Sequence, residues 1–586
     1  MSSRDAPGKA YDAKMMRRLW GYIRPYRGLV TRSLVLLFAV SAVQLVQPYL
    51  IKRVIDDQIG AAKLEGLGFL ALLFLAALVA EFGLRFAQIY VLEQTGQNVV
   101  FDLRNESFAH LQRLPSSFFD RNPVGKLMTR LTSDVEALHE LFTSGVVMIL
   151  ADLLKLFAIA AILLWMDWRL ALITFAVVPP TLVLTWFFRS RMRETYRHVR
   201  AMVAKLNIEL QESVSGMRVV QLFARERETL ERFGETNREH ERAQLLGVRY
   251  DSIFTAVAEL FGSITLAAIV WAGGWGILEG WVTFGTLVAF IEYSAKCFRP
   301  VQELSQRYTV MQSAMAAGER IFGLLDTPVT IKSPPRPRRI RERLKGEIVF
   351  DDVTFGYDPD RPVLHNVSFR IAPGERIGVV GWTGSGKSTL IRLLVRLYDV
   401  QSGAILVDGV DIREYDLAEL RRSVGVVLQD QFLFSGTIES NISLGDPRVT
   451  REGVREAAEA VRIDRLIQRL PSGYDEAVRE RGSNFSAGEK QLLSFARAIA
   501  FDPAVLVLDE ATASVDPETE RGVQRALATV LSGRTSILIA HRLATVRDAD
   551  RILVLHHGRL IEQGQHEELI AKSEGVYRTL YTLQNA

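Results

Sequence analysis

The sequence predicts a protein of two domains with different fold classes, an all-α N-terminal half and an α/β C-terminal half. Three observations lead to this prediction. Six long apolar stretches fill the N-terminal half, a proline-rich basic segment follows them, and a glycine-rich loop then lies between a strand-like run and an apolar helical run. The chain of 586 residues is too long for one hydrophobic core, and its 48% hydrophobic and 24% charged residues fit a membrane half joined to a soluble half.

Each apolar stretch is close to the roughly 20 residues that cross the hydrocarbon core of a membrane. The polar segments 93–141 and 189–250 between them keep helical periodicity, so we expect the membrane helices to continue far into the cytoplasm. Pro179 and Pro180 should kink the fourth helix. The predicted spans are residues 29–50, 67–90, 146–166, 170–188, 253–275 and 282–298.

Lysine and arginine counts beside the spans give the orientation, because cytoplasmic loops carry an excess of these residues. Residues 189–250 contain 13 of them and residues 1–28 contain seven, whereas the turns around Asp167 and Glu279 are nearly free of them. We therefore expect the N-terminus, both long loops and the C-terminal half in the cytoplasm. Residues 1–28 should include a basic amphipathic helix that lies on membrane lipids.

The glycine-rich loop GWTGSGKST covers residues 381–389 and fits the pattern G-x-x-x-x-G-K-[ST]. Its glycines let backbone N–H groups surround phosphate oxygens, and the helix that follows favours anions at its N-terminus. We expect Lys387 to contact the β- and γ-phosphates of a nucleotide and Ser388 to hold Mg²⁺. The other loop residues expected at the nucleotide are Gly381, Thr383, Gly384, Ser385, Gly386 and Thr389.

An apolar run that ends in two acids, VLVLDE, covers residues 505–510. This pattern is typical of a buried parallel strand with carboxylates at its C-terminal edge. Asp509 is expected to hold Mg²⁺, directly or through water, and Glu510 to orient and polarise the attacking water as general base. A strand that ends in solvated acids is common by itself, but its position after the phosphate loop favours ATP hydrolysis.

Composition gives the domain limits and excludes one class of partner. Residues 328–345 contain four prolines and many basic residues, which is typical of a linker. The net charge of +4 is small for this length, so no nucleic-acid partner is expected. The predicted divisions are an amphipathic segment at 1–28, a transmembrane domain at 29–326, a linker at 327–345 and a nucleotide-binding domain at 346–586.

The motifs and their order resemble ATP-binding cassette (ABC) exporters of the half-transporter type. The segment FSAGE at 485–489 is similar to the signature that separates this family from other P-loop ATPases. The resemblance implies a six-helix transmembrane domain with long cytoplasmic extensions, followed by an α/β P-loop ATP-binding cassette domain. It also implies ATP and Mg²⁺ as cofactors, and a location in the bacterial cytoplasmic membrane.

The same resemblance gives roles to residues by position. It implies that Tyr357 stacks on adenine, that Gln429 contacts Mg²⁺ and relays to the membrane domain, and that His541 contacts the γ-phosphate. Segments 116–125 and 215–226 resemble the coupling helices that dock on the ATPase, near Gln429 and the RERG segment that precedes the signature. A plain helical hairpin tip is the alternative for each segment.

The signature departs from the family's LSGGQ pattern at two positions. Ser486 and Gly488, which the resemblance places on the γ-phosphate held by the opposite subunit, are kept, but Ala487 replaces a glycine and Glu489 a glutamine. Asp516 matches the loop that crosses the dimer interface. An altered signature with an intact general base resembles the catalytic-glutamate subunit of heterodimeric bacterial multidrug exporters.

The implied partner is therefore a second half-transporter, a different chain with an LSGGQ-like signature and a strand that lacks the catalytic glutamate. A homodimer with a harmlessly changed signature is the alternative. The implied activity is ATP-driven export of hydrophobic or amphipathic compounds. A lipid or lipid-linked glycan flippase and an ATP-gated channel or channel regulator are the alternatives, whereas the six spans exclude a soluble ABC protein.

Charged residues inside the predicted spans are costly and need a reason. Asp152 and Lys155 are three residues apart, and Glu81 and Arg85 four apart, so each pair could interact on one helical face. A polar lining of a substrate cavity and structural pairing between helices are both compatible with this pattern. Further charged candidates in the spans are Glu259, Glu292 and Lys296.

Overall fold

A computed structural model describes residues 13–61, 65–509, 517–539 and 543–585. The chain forms two compact units. The first is helical and consists of Met1–Leu111 and Gly125–Asp326, and the second is an α/β unit formed by Gln112–Val124 and Thr327–Ala586. The short segment Gln112–Val124 thus belongs with the α/β unit although its neighbours in sequence belong to the helical unit.

Long helices form the first unit. In chain order the helices before the linker are α1 (Ala13–Ile23), α2 (Arg27–Arg53), α3 (Leu67–Leu111), α4 (Ser116–Arg121), α5 (Val124–Thr129), α6 (Val135–Glu140), α7 (Val147–Met166), α8 (Trp168–Phe175), α9 (Val178–Ser215), α10 (Met217–Leu222), α11 (Glu226–Leu278) and α12 (Phe284–Leu325). The 53 residues of α11 are about 80 Å long at 1.5 Å per residue. A helix of this length exceeds the hydrocarbon thickness of a bilayer, as the polar periodic segments predict.

Three helical stretches in the described residues are long and apolar enough, by length and composition, to cross a membrane: Lys14–Ile59, Leu67–Leu111 and Glu226–Leu278. They contain the first, second and fifth predicted spans. The third predicted span lies on α7 and the sixth on α12, apart from its first two residues.

The fourth predicted span is not one helix. Helix α8 ends at Phe175, and α9 begins at Val178 with a proline in its first turn. Proline is compatible with that position because the first turn of a helix leaves its N–H groups without intrahelical partners. The expected kink at Pro179 and Pro180 is therefore a short break just before the proline pair.

Helix α1 packs on the ends of other helices in this unit. Leu19 of α1 is fully buried in one hydrophobic cluster with Leu103 of α3, Leu138 of α6 and Met315 of α12. The apolar face of the amphipathic N-terminal helix is therefore held by the protein itself.

Two sheets form most of the second unit. The strands are β1 (Ile348–Phe355), β2 (Leu364–Ile371), β3 (Arg376–Gly381), β4 (Ser402–Val407), β5 (Val410–Asp411), β6 (Val424–Val427), β7 (Gly436–Thr437), β8 (Ala477–Val478), β9 (Val505–Asp509), β10 (Thr535–Ile539), β11 (Arg551–His556) and β12 (Arg559–Gly564). Strands β2-β1-β4-β5 form an antiparallel sheet, and β12-β11-β3-β10-β9-β6 form a sheet that is parallel except for β12.

The helices of this unit after the linker are α13 (Lys387–Leu394), α14 (Leu417–Ser423), α15 (Ile438–Ser443), α16 (Arg451–Ala460), α17 (Asp464–Ile467), α18 (Ala487–Ala500), α19 (Pro517–Leu531), α20 (His566–Ala571) and α21 (Val576–Asn585). Helix α13 buries Leu393 and Leu394 in the cluster that also contains Phe350 of β1 and Val379 of β3. Residues of both sheets thus hold the helix that follows the phosphate loop.

Candidate functional site

The phosphate loop connects β3 to α13, in the strand–loop–helix order that the sequence predicts. Gly386, at the N-cap of α13, has φ +101°, and a Cβ there would lie 2.6 Å from Cδ2 of Leu364. A Cβ on Gly381 would lie 2.2 Å from the backbone oxygen of Leu555. Glycine is therefore required at both ends of the loop, for backbone conformation at one and for close packing at both.

Two side chains of the loop are placed to receive an anion. Lys387 is buried, and its Nζ donates hydrogen bonds to the backbone oxygens of Gly381 (2.7 Å) and Trp382 (3.0 Å). The Oγ of Ser385 is buried and has no hydrogen-bond partner among the described residues. A buried hydroxyl without a partner is costly, and a phosphate oxygen would satisfy it. The residues present thus fit a nucleotide phosphate, while Thr383 and Ser388 of the loop are exposed and Thr389 is buried.

The parallel sheet brings the other predicted residues to the same edge. Asp509, the last residue of β9, is level with Ile539 of β10, which is level with Val379 of β3. Strands two positions apart in a sheet are about 10 Å apart, so Asp509 lies about 10 Å from Val379, on the strand that leads into the phosphate loop. Gln429, which is exposed, follows β6 on the other side of β9. Glu510, Asp516 and His541 lie outside the described residues.

Tyr357, the predicted adenine-stacking residue, is half-buried beside the phosphate-loop helix. Its hydroxyl lies 3.2 Å from Oγ1 of Thr389, and Arg392 donates a hydrogen bond to that hydroxyl (3.0 Å). The ring of Tyr398 is 5.2 Å from the Tyr357 ring in an edge-to-face arrangement. Neither Arg392 nor Tyr398 was predicted from the sequence as a site residue. Arg392 could have been found from its position one helical turn after Thr389, on the same face of α13.

The first coupling segment meets this tyrosine pair. Asp120 of α4 accepts a hydrogen bond from the Tyr398 hydroxyl, and Nη2 of Arg121 donates to the backbone oxygen of Tyr357 (3.4 Å). Burial and the bond to Asp120 raise the pKa of Tyr398 above its ordinary value, so the phenol stays protonated and remains a donor at neutral pH. Among the described residues, the hydrogen bonds of the Asp120 and Arg121 side chains thus go to the tyrosines and not to Gln429.

The second coupling segment contains α10, which lies in the helical unit. Val219, Leu222 and Phe223 are exposed apolar residues at this tip, and Leu222 has 82% of its surface exposed. A cluster of exposed apolar side chains on a hairpin tip is typical of a contact surface for another protein.

The signature forms the N-terminus of α18. The Oγ of Ser486 accepts a hydrogen bond from the backbone N–H of Glu489 (3.3 Å), and a carboxylate oxygen of Glu489 accepts one from the N–H of Ser486 (2.8 Å). This reciprocal pair is a capping box. Ser486 and Ala487 are exposed, whereas Gly488 is buried. Glu489 therefore places a negative charge at the helix end that would otherwise attract a phosphate.

Polar side chains from four helices meet within the predicted spans. Gln44 of α2 accepts a hydrogen bond from Lys155 of α7 (2.8 Å) and donates one to Glu81 of α3 (2.7 Å), and its backbone oxygen accepts one from Lys296 of α12 (3.0 Å). Gln47 also donates to Glu81. We call these five residues the Gln44 network. Asp152, which the sequence could pair with Lys155, forms an ion pair with Arg307 of α12 (3.0 Å).

Two family models match the chain. The model for the ABC transporter transmembrane region matches residues 30–301, and the model for ABC transporters matches residues 364–513. These matches cover the helical unit and the phosphate-loop part of the α/β unit.

Three bacterial proteins are similar to this chain over most or all of its length. An uncharacterised ABC transporter ATP-binding protein of Bacillus subtilis, YknV, is 40% identical over 585 residues, which are 100% of this chain and 96% of that protein. A probable multidrug resistance ABC transporter of the same organism, YheH, is 37% identical over 89% of this chain and 77% of its own. An ATP-dependent lipid A-core flippase of Desulfotalea psychrophila is 33% identical over 98% of this chain and 100% of its own.

A solved structure of a bacterial Atm1-family ABC exporter with ATP bound has a TM-score of 0.76 and 29% identity, with 96% of this chain and 98% of that chain covered. The predicted fold class is thereby confirmed, as are the predicted ATPase activity and membrane location. The chain therefore belongs to the ABC transporter family: it is an ATP-hydrolysing exporter of the cytoplasmic membrane, with a helical transmembrane domain followed by an α/β nucleotide-binding domain.

Proposed function

We propose that this chain is one subunit of a heterodimeric exporter that moves amphipathic compounds out of the cell by alternating access. The Gln44 network carries the substrate part of the proposal. It places two lysines, one carboxylate and two amides between helices of the transmembrane domain. Charged groups inside spans are retained mainly where they line a pathway, and their mixture with apolar helix surface fits a substrate with a polar head and an apolar body.

In this proposal the nucleotide site is formed by the phosphate loop and by the edge of the parallel sheet where β9 ends. Lys387 and the free hydroxyl of Ser385 bind the β- and γ-phosphates, and Tyr357 stacks on adenine. Ser388, Gln429 and Asp509 supply oxygen ligands for Mg²⁺, which neutralises charge on the phosphates when it is bound. Outside the described residues, Glu510 orients the attacking water and His541 contacts the γ-phosphate.

Two features of this chain, the signature and the tip at α10, need a second subunit to complete them, and they support a dimer. Ser486 and Gly488 at the start of α18 would contact the γ-phosphate held by the partner, and Asp516 would lie at the interface between the nucleotide domains. The exposed apolar tip at α10 needs a protein surface to cover it. A groove of about 320 Å³ beside Gln429, lined by Leu428, Phe432 and other residues of the nucleotide domain, is a suitable counterpart on the second subunit.

The capping box supports a different chain as partner. The Glu489 carboxylate would face the γ-phosphate of the partner's nucleotide, and repulsion between the two anions would slow closure or turnover at that site. The site built on Lys387 and Glu510 would instead receive an LSGGQ-like signature and perform most of the hydrolysis. ATP binding to both sites would favour the closed, outward-facing state over the open one.

Reconstitution of the purified chain, with and without a co-expressed partner, tests the proposal. We expect amphipathic compounds to stimulate ATP hydrolysis only with the partner, and expect Lys155→Gln combined with Lys296→Gln to abolish that stimulation. Lys205→Gln is the matched control, because Lys205 pairs with Glu239 on the α9–α11 extension, outside the spans.

Two outcomes would replace the substrate proposal. Translocation of labelled lipid without a response to amphipathic compounds would make the chain a flippase, which the similarity to lipid A-core flippases would support. Ion currents that follow ATP binding would make it a channel. A homodimer that transports unaided with hydrolysis at both sites would contradict the heterodimer.

A further inference from the structure

We propose that the junction of α1, α2 and α3 is a binding site for an anionic phospholipid of the cytoplasmic leaflet, separate from the transport pathway and the nucleotide site. The site has an apolar cavity for an acyl chain and a rim of three arginines for the headgroup. It does not depend on which compound the exporter moves.

The apolar cavity has a volume of about 150 Å³ and lies between α1, the first turns of α2 and the middle of α3. Its lining includes Trp20 of α1, Leu34 of α2 and Val99 of α3. An apolar cavity of this size stays dry and accepts a group as large as benzene. The end of an acyl chain fits the same space, and the first span enters the membrane at this point.

One polar atom in the cavity has no partner. Ser33 of α2 lines it, is only 2% exposed, and has a hydroxyl without a hydrogen-bond partner among the described residues. A buried hydroxyl of this kind costs stability until an acceptor reaches it. An ester oxygen at the head of an acyl chain is such an acceptor, and a pure hydrocarbon would not supply one.

Three arginines are close in sequence to residues that line the cavity: Arg24 follows Ile23, Arg27 precedes Val30 by three positions, and Arg32 precedes Ser33. Arg27 and Arg32 line an open concavity of about 710 Å³ on α2 and α3, and Arg24 and Arg27 line another at the α1–α2 turn. All three side chains are exposed, and none forms an ion pair within the part of the chain that the structure describes. Unpaired arginines at the cytoplasmic end of a span attract anionic headgroups, each by about fivefold in affinity.

Two carboxylates of α3 hold the tyrosines of this junction in place. Asp102 and Glu106 of α3 accept hydrogen bonds from the hydroxyls of Tyr26 and Tyr22 (2.7 and 2.6 Å). These bonds raise the pKa of both phenols, together with burial, which is the larger cause for Tyr22. The tyrosines therefore stay protonated, and they also hold α1 and the α1–α2 turn on α3 so that the cavity keeps its shape.

Lipid binding to the purified full-length exporter tests the proposal. Native mass spectrometry in detergent measures retention of phosphatidylglycerol and phosphatidylcholine, which differ in headgroup charge. We expect tighter binding of phosphatidylglycerol, and expect the combined variant Arg24→Gln, Arg27→Gln, Arg32→Gln to lower that preference by on the order of 100-fold at low salt. Soluble glycerol phosphate, which has the negative charge but no acyl chain, should not displace phosphatidylglycerol from the protein.

The matched control removes the same charge elsewhere. Arg238→Gln, Arg242→Gln and Arg249→Gln change three exposed arginines of α11, and this variant should bind both lipids like the wild type. If both triple variants bind phosphatidylglycerol equally less tightly than the wild type, the lipid is attracted by the overall charge of the protein and the proposed rim is wrong.

Filling the cavity tests the acyl-chain part. Ser33→Leu should weaken binding of both lipids without changing the preference between them. If this variant does not fold, judged by loss of ATP binding, Thr95→Leu fills the same cavity from α3. Wild-type lipid affinity in a folded cavity variant would overturn the proposal, as would displacement of the lipid by a transported compound, which would make the cavity part of the substrate pathway.

Discussion

The hydroxyl of Tyr398 donates a hydrogen bond to Asp120, which lies 278 residues earlier in the chain. Tyr398 also packs against Tyr357 edge to face. A residue proposed to stack on adenine is therefore one side chain away from α4, which lies in the first predicted coupling segment. Helix α4 thus has a direct contact with the tyrosine pair of the nucleotide-binding unit.

The first prediction concerns this contact. Tyr398→Phe and Asp120→Ala each remove the hydrogen bond, which stabilises by about 1.5–3 kcal/mol because its acceptor is charged. We expect basal ATP hydrolysis within about threefold of wild type, whereas stimulation by transported compound falls by about tenfold. Comparing ATP hydrolysis with and without compound in proteoliposomes measures both effects.

Tyr415→Phe is the matched control for that prediction. Its hydroxyl donates to the backbone oxygen of Val407 (3.0 Å) and is buried in the same unit, away from α4. In the double variant of Tyr398 and Asp120, stimulation of ATP hydrolysis should fall no further than in either single variant, because the two substitutions remove the same interaction. Additive losses, or uncoupling in Tyr415→Phe as well, would show that general stability and not this contact is responsible.

The second prediction concerns the signature. Glu489→Gln keeps a capping side chain but removes its negative charge. We expect the site that this signature completes to hold ATP more tightly, by about 1 kcal/mol or fivefold. Trapping of labelled ATP by this chain co-purified with its proposed partner measures this occupancy.

Glu568→Gln serves as the control for the signature prediction, since Glu568 forms the same kind of capping box with Gln565 at α20. It should change stability slightly and leave ATP trapping unaltered. An equal change in both variants, or none in Glu489→Gln, would remove the electrostatic argument for a heterodimer.

The third prediction tests the geometry of the phosphate loop. Gly386→Ala introduces a Cβ at a φ of +101° and 2.6 Å from Leu364, so we expect a loss of about 1–3 kcal/mol in stability and weakened ATP binding. Gly522→Ala in α19, where a Cβ meets no atom within 4 Å, should instead be neutral or stabilising. Thermal unfolding with and without ATP distinguishes the two, and equal effects would show that the loop tolerates a side chain.

The fourth prediction concerns the ion pair that holds α1 to the end of α12. Arg18 donates two hydrogen bonds to Asp326 (2.7 and 2.9 Å) and thereby lowers the pKa of that carboxyl below its usual 3.8. The resulting stability is present above the usual pKa and is lost as the pH falls through the lowered value. Because Asp326 is 62% exposed, solvent screens the pair, and Asp326→Asn should cost at most about 1 kcal/mol at pH 7.

Unfolding midpoints between pH 7 and pH 3 check the ion-pair prediction. The difference between wild type and Asp326→Asn should be fully present above pH 3.8, the usual pKa, and should shrink as the pH falls towards the lowered pKa, where the wild-type carboxyl becomes protonated. A difference that does not shrink at all between pH 7 and pH 3 would mean that Asp326 stabilises the helix end without its charge.

Local pattern was sufficient to predict the phosphate loop and the strand that ends at Asp509. The phosphate loop is recognised from the fixed spacing of its glycines and lysine, and the strand from a short run of apolar residues. Both signals depend only on residues that are neighbours in sequence. The capping box at Ser486 and Glu489 is equally local, but its hydrogen bonds were not anticipated because the two residues were compared only with the family pattern.

Contacts between distant segments were not predictable in the same way. Asp152 was expected to be able to pair within its helix, and the structure gives it Arg307 of another helix. Glu81 likewise accepts hydrogen bonds from Gln44 and Gln47 of α2. One sequence does not show which faces of two helices meet, so such partners follow only from tertiary packing.

The central claim is that ATP hydrolysis at the site of Lys387 and Glu510 drives export. The most direct measurement is uptake of a fluorescent amphipathic compound into inside-out proteoliposomes that contain the chain and its partner. We predict ATP-dependent uptake by the wild type, and uptake reduced by at least about 100-fold in Glu510→Gln although that variant still binds ATP. Lys387→Ala should lose ATP binding itself. Uptake by Glu510→Gln at the wild-type rate would contradict the account.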